Sequence, residues 1–174
     1  MSIDAILSRI DDQLPAALDR LNGLLRIPSI STDPAYAQPC QEAADWLVSD
    51  LQSLGIQAEK RLTPGHPMVV GHIDGPGPHL LFYGHYDVQP EGDMENWDSQ
   101  PFEPEEKEGL LIARGSGDDK GLVMAVLAGF SEIIKSGDKL DYNLKIILEG
   151  EEEIGSPNIE TVISENKELL ECDV

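Results

Sequence analysis

The chain has 174 residues, 40% of them hydrophobic, which is enough for one domain with a buried core. Acidic residues outnumber basic ones 33 to 12, and the formal charge of −21 argues against nucleic acid or an anionic membrane as a partner while favouring cations. Two cysteines, Cys40 and Cys172, are too few for a disulfide framework and do not stand in a zinc-binding spacing. The opening "MSIDAILSRIDDQLP" lacks a basic segment followed by an apolar one, and no apolar run is long enough to span a membrane, so the expected compartment is the cytoplasm.

Along the chain, Ile6, Leu7, Ile10, Leu14, Leu18, Leu21 and Leu25 recur at three and four, predicting an amphipathic helix with Pro15 as a candidate kink. The Pro- and Ser-rich "RIPSISTDPAYAQP" reads as a loop. In "CQEAADWLVSDLQSLG" the spacing predicts a second helix with Ala44, Leu47, Val48, Leu51 and Leu54 inward and Gly55 as its stop. Strands are predicted over residues 56–62, 68–73, 80–86 and 110–113. Residues 121–135, apolar over most of their surface, predict a buried helix crossing one face of a sheet. "NLKIILEG" reads as a further strand, and "SPNIETVISENKELL" as a last helix with Ser156 as N-cap and Pro157 at its first position. This alternation predicts an α/β fold: a mostly parallel or mixed sheet with helices on both faces, whose ligands gather at the carboxyl ends of the strands.

Three apolar strands end in polar clusters: "LLFYGHYDVQP", "LLIARGSGDDKG" and "LKIILEGEEEIGS". Side by side, they would bring His85, Asp87, Asp118, Asp119, Glu152 and Glu153 to one patch. So many carboxylates repel one another unless a cation lies between them. An imidazole with several carboxylates suits zinc, with manganese or cobalt as replacements. His85 and Asp87, two positions apart, point the same way if the strand continues, so that Asp87 can accept a hydrogen bond from the ring nitrogen that does not hold metal. Gly84, Gly115, Gly117 and Gly150 are expected to relieve crowding or permit unusual backbone angles around the patch. Of the adjacent Glu152 and Glu153, one could hold a metal while the other takes a proton from an activated water, which is the chemistry of amide hydrolysis. His66, His72 and His79 are read as structural or solvated.

"GHYDVQP", "ARGSGDDKG" and "EGEEEIGS" resemble, in order and spacing, signatures of the di-zinc metallopeptidase family that includes aminoacylase, acetylornithine deacetylase, carboxypeptidase G and the carnosine-type dipeptidases. "LLRIPSIST" and "NWDSQPFEPEEKEGLLIARG" are similar to the dipeptidase branch in particular. The resemblance implies a zinc-exopeptidase-like catalytic domain that binds two zinc ions and cleaves dipeptides or N-acyl amino acids. It implies His85 as ligand of one zinc, Asp118 as the bridge, Glu153 as ligand of the other, Glu152 as general base and Asp87 as the residue that orients His85. Asp119 matches no ligand and reads as a helix-start residue; Lys120 and Arg114 are expected to offset local negative charge. Family members are about twice this length or more, so residues 1–174 are expected to form an amino-terminal part of the catalytic domain, without its carboxyl-terminal part or the lid and dimerisation domain. The full-length protein is expected to be a homo-oligomer, and the truncated chain to be inactive alone. The alternative is a non-catalytic cation-binding or interaction module that keeps the half-site fold.

Overall fold

The computed structural model describes residues 3–136 and 140–174. Helix α1 (Ile3–Leu25) leads into a loop and helix α2 (Ala37–Ser53), followed by strands β1 (Gln57–Arg61), β2 (Met68–Ile73) and β3 (His79–His85). A short hairpin of β4 (Glu105–Lys107) and β5 (Leu110–Ile112) precedes α3 (Lys120–Lys135) and β6 (Asn143–Glu149), and α4 (Ile159–Glu165) and α5 (Lys167–Leu170) close the chain. Pro15 lies inside α1, which runs on through it as one assigned helix.

The main sheet is mixed, in the order β1-β2-β6-β3, with β1 and β6 antiparallel to β2 and β3 parallel to β6. Strand β6 is central and buried on both faces, which explains its nearly unbroken apolar run. Its Leu144, Ile146 and Leu148 join Leu47 and Leu51 of α2 and Val123 and Leu127 of α3 in the larger core. On the opposite face Ile147 packs with Met68, Val70, Val162 and Leu170, so helices cover both sides as predicted. Among the described residues no helix is long and apolar enough to cross a membrane.

Three local expectations change, and one strand was not foreseen. The strand over 110–113 pairs only with β4 in a separate two-stranded sheet, so two of the three motif-bearing strands, β3 and β6, lie side by side. Strand β4 is all charged and exposed, and carries no apolar alternation that would mark it. Helix α3 buries one stripe only: Leu122 and Val126 remain exposed while Val123, Met124 and Leu127 are buried. Ser156 is not an N-cap; it sits at φ 53 before α4, whose N-cap is Asn158, because its hydroxyl is engaged by Glu149.

Candidate metal centre

Parallel pairing sets the site. His85 is in register with Glu149, so the residues that follow each strand leave the sheet together on the same side. Beyond β3 come Tyr86 and Asp87; beyond β6 come Gly150 and a single turn of 3₁₀ helix, Glu152–Ile154. That turn places the adjacent Glu152 and Glu153 where both approach His85: one ligand atom from each of the three lies within 4.8 Å of the others.

His85 is buried, and its two ring nitrogens face different partners. Nδ1 lies 3.1 Å from the Asp87 carbonyl oxygen and 3.4 Å from Asp87 Oδ1, while Nε2 lies 3.1 Å from Asp118 Oδ1 and 4.0 Å from Glu152 Oε2. Burial alone would lower the imidazole pKa, but the hydrogen bond and charge of Asp87, with the charge of Asp119, outweigh it and push the group up to about 9.

Asp87 is completely buried and ties the cluster together. Its Oδ2 accepts from the Ser31 hydroxyl at 2.6 Å and the Glu153 N–H at 3.0 Å, and its Oδ1 accepts from the Glu152 N–H at 3.2 Å. One carboxylate therefore holds the ring of His85 and the backbone beneath both glutamates. A buried carboxylate is tolerated here because hydrogen-bond donors surround it.

Asp118 reaches the patch by a different route. From β5 the chain turns at Gly115, which has φ +86, and enters α3. The Asp118 side chain is 78% exposed, and its Oδ1 faces His85 Nε2. Asp119 stands at the N-cap position of α3 but makes no cap with its side chain; its Oδ2 accepts the His85 backbone N–H at 3.1 Å and fastens the start of α3 to the end of β3. A Cβ on Gly84 would come within 2.6 Å of Val123 Cγ2, so this close approach of helix to strand requires glycine. A side chain at Gly117 would meet open space, and crowding does not explain that glycine.

The acidic run splits into two classes. Glu152 and Glu153 face the cleft, with Gln89 Nε2 donating to Glu153 Oε2 at 2.8 Å. Glu149 and Glu151 are buried. Glu149 Oε1 accepts from Tyr83 Oη at 2.7 Å and Ser156 Oγ at 2.6 Å; burial, then this bond, raises the Tyr83 phenol. Glu151 accepts from the His66 N–H and from Asn158 Nδ2, locking the turn of residues 63–66 against the site loop. Sequence reading missed these two acids, Gln89 and Ser31; only the proximity of Gln89 to the "GHYDVQP" motif offered a signal.

Lys120 and Arg114 do not pair with the site acids. The fully buried Lys120 Nζ donates to the carbonyls of Leu24 and Ile27 at 3.1 and 2.6 Å. Burial drives its pKa down to about 7, with Cys40 and Asp87 acting upward. Arg114 lies over the Trp97 ring, 5.5 Å from its centroid, and donates to the Glu91 carbonyl.

The donor set suits a divalent metal: one imidazole nitrogen and carboxylate oxygens converge, and among the described residues no lysine or arginine forms an ion pair with Asp118, Glu152 or Glu153.

Comparison with known proteins bears on this arrangement. The model of a family described as Peptidase family M20/M25/M40 matches residues 81–173. The Cys-Gly metallodipeptidase of Schizosaccharomyces pombe is 31% identical over 94% of this chain and 37% of its own length. Human carnosine dipeptidase 1 superposes with a TM-score of 0.88 at 26% identity, over 97% of this chain and 39% of that one. A metallo-carboxypeptidase of the M20 family from Sulfolobus solfataricus superposes with a TM-score of 0.84 at 36% identity, over 90% of this chain and 36% of its own. The chain thus spans less than two fifths of the length of each of these three relatives.

Proposed function

Because the chain belongs to peptidase family M20/M25/M40, we propose that it is the amino-terminal part of the catalytic domain of a zinc-dependent amide hydrolase acting on dipeptides or N-acyl amino acids. The observation that carries this reading is the convergence of His85, Glu152 and Glu153 above the buried Asp87, with Asp118 set against His85 Nε2. His85 and Asp118 would hold one zinc, and Asp118 and Glu153 the other, with manganese or cobalt able to substitute. When bound, the metal pair would supply Lewis acidity and lower the pKa of water at the site.

The chain's own residues account for the rest. Asp87 keeps the His85 ring turned with Nε2 toward the cleft and holds the backbone of Glu152 and Glu153. The Glu152 side chain is 45% exposed, open to water on the cleft side. It takes a proton from water as the oxygen bonds to the amide carbonyl carbon, and returns it to the nitrogen as the C–N bond breaks. The products are a carboxylic acid and an amine. Gln89 donates to one oxygen of the Glu153 carboxylate. A small peptide is the expected partner, the cytoplasm the expected compartment, and Cys-Gly the first substrate to try, since a relative bears that name.

Catalytic zinc normally has about three protein ligands with water. Two residues per metal, with Asp118 common to both, fall short of this, so this chain alone should bind zinc weakly and hydrolyse little. The test is zinc per chain after dialysis, by elemental analysis, with His85→Ala as control. Zinc retained equally by the wild type and His85→Ala would sink the site. In a longer, active protein, Glu152→Gln should retain zinc and lower turnover by about 10²–10⁴-fold.

A further inference from the structure

Ser31 lies in the loop between α1 and α2, fifty-six positions before its partner Asp87. Ile30 forms a parallel bridge with Val88, Ser29 Oγ donates to the Tyr86 carbonyl, and the Val88 N–H donates to the Ser29 carbonyl. Residues 29–31 therefore run beside residues 86–88, joined by this one bridge and its flanking hydrogen bonds. The segment is anchored from two further sides: Lys120 holds the carbonyls of Leu24 and Ile27, and His66 Nε2 lies 3.2 Å from the Ser31 carbonyl oxygen.

This places the Ser31 hydroxyl on Asp87 Oδ2 in a buried contact that is shorter than any other made by that carboxylate. A carboxylate can turn about its last bond and offers several acceptor positions. With Ser31 and the Glu153 N–H on Oδ2, the other oxygen is left to the Glu152 N–H and His85 Nδ1.

We propose that Ser31 is a positioning residue for the metal centre: its hydroxyl stops rotation of the Asp87 carboxylate, which in turn fixes His85 and the amides of Glu152 and Glu153 in one frame. The link to metal affinity rests on the zinc reading above, whereas the frame itself does not.

Amide hydrogen exchange, followed by NMR on the metal-free 174-residue chain, tests the frame. In Ser31→Ala, protection at Glu152 and Glu153 should fall by about tenfold or more, while Ile146 and Leu148 in the sheet change by less than about threefold. Ser31→Thr keeps a hydroxyl, and its extra methyl borders a depression of about 590 Å³ lined by Ser31, Thr32 and His66, so it should restore protection. Zinc titration of the same variants should show affinity weakened by about 10–100-fold in Ser31→Ala and recovered in Ser31→Thr. Unchanged protection at Glu152 and Glu153 in Ser31→Ala, or a loss shared equally by Ile146 and Leu148, would overturn the proposal. Should Ser31→Ala fail to fold, Ser31→Cys, of similar size but a weak donor, must show the same local loss, and normal protection there overturns it equally. Zinc affinity that is equal in the wild type and His85→Ala would count against the zinc reading, while exchange still decides the role of Ser31.

Discussion

Asp87 and Asp118 both touch the ring of His85, yet they are opposite kinds of residue. Asp87 is completely buried and accepts hydrogen bonds from Ser31, Glu152 and Glu153. Asp118 is 78% exposed, and its Oδ1 meets His85 Nε2 at 3.1 Å. Asp87 is part of the fold and cannot move without disturbing three segments of chain; Asp118 is free to answer whatever enters the cleft. A site built this way has a rigid floor and an adaptable rim, with the charge that organises it kept apart from the charge that meets solvent.

The comparison breaks most sharply at Asp87. Replacing it with alanine strips the acceptor from a buried hydroxyl and two part-buried amides, and should destabilise the chain by about 3–5 kcal/mol, measured as urea unfolding. A loss below about 1 kcal/mol would mean that water replaces the carboxylate and the floor is not rigid.

Lys120 probes how the floor is held from below. Lys120→Met keeps most of the volume but leaves the Leu24 and Ile27 carbonyls without their donor, and should cost about 2 kcal/mol. A stabilised variant would show that shedding a buried amine outweighs two hydrogen bonds.

His85 sharpens the comparison through pH. Its pKa, raised from about 6.5 to about 9, means the folded state holds a proton that the unfolded state releases earlier. That contribution to stability is complete below about pH 6.5 and is lost as pH rises through about 9. Metal binding runs the other way, since Nε2 must lose its proton. Apparent zinc affinity should climb between pH 6.5 and 8 by up to about tenfold per unit. A flat profile in calorimetric titration would show that His85 does not compete with protons for the metal.

Much of this was legible in the sequence because hydrophobic pattern decides it. Residues 68–73 coincide with β2, and the apolar runs before His85 and Glu149 mark the two parallel strands whose ends meet. The motif residues His85, Asp118, Glu152 and Glu153 stand out because polar side chains end buried strands or begin a buried helix. What stayed hidden depends on distant partners. Nothing local says that Ser31 meets Asp87 or that Glu149 and Glu151 turn inward while their neighbours face the cleft. The all-charged β4 has no apolar face to detect, and β5 leaves the main sheet although its apolar run resembles the others.

The smallest effect on folding is expected at the rim. Asp118→Ala removes a solvated carboxylate and one contact to an imidazole, so the free energy of urea unfolding should change by no more than about 0.5 kcal/mol. Desolvation cannot amplify the loss, because the side chain is already in water. The same substitution should sharply reduce bound zinc, since Asp118 is the group assigned to both metals. Stability unchanged with zinc lost is the signature of a residue that serves the site without supporting the fold. A destabilisation matching that of Asp87→Ala would place Asp118 in the floor instead, and the division between the two aspartates would fall.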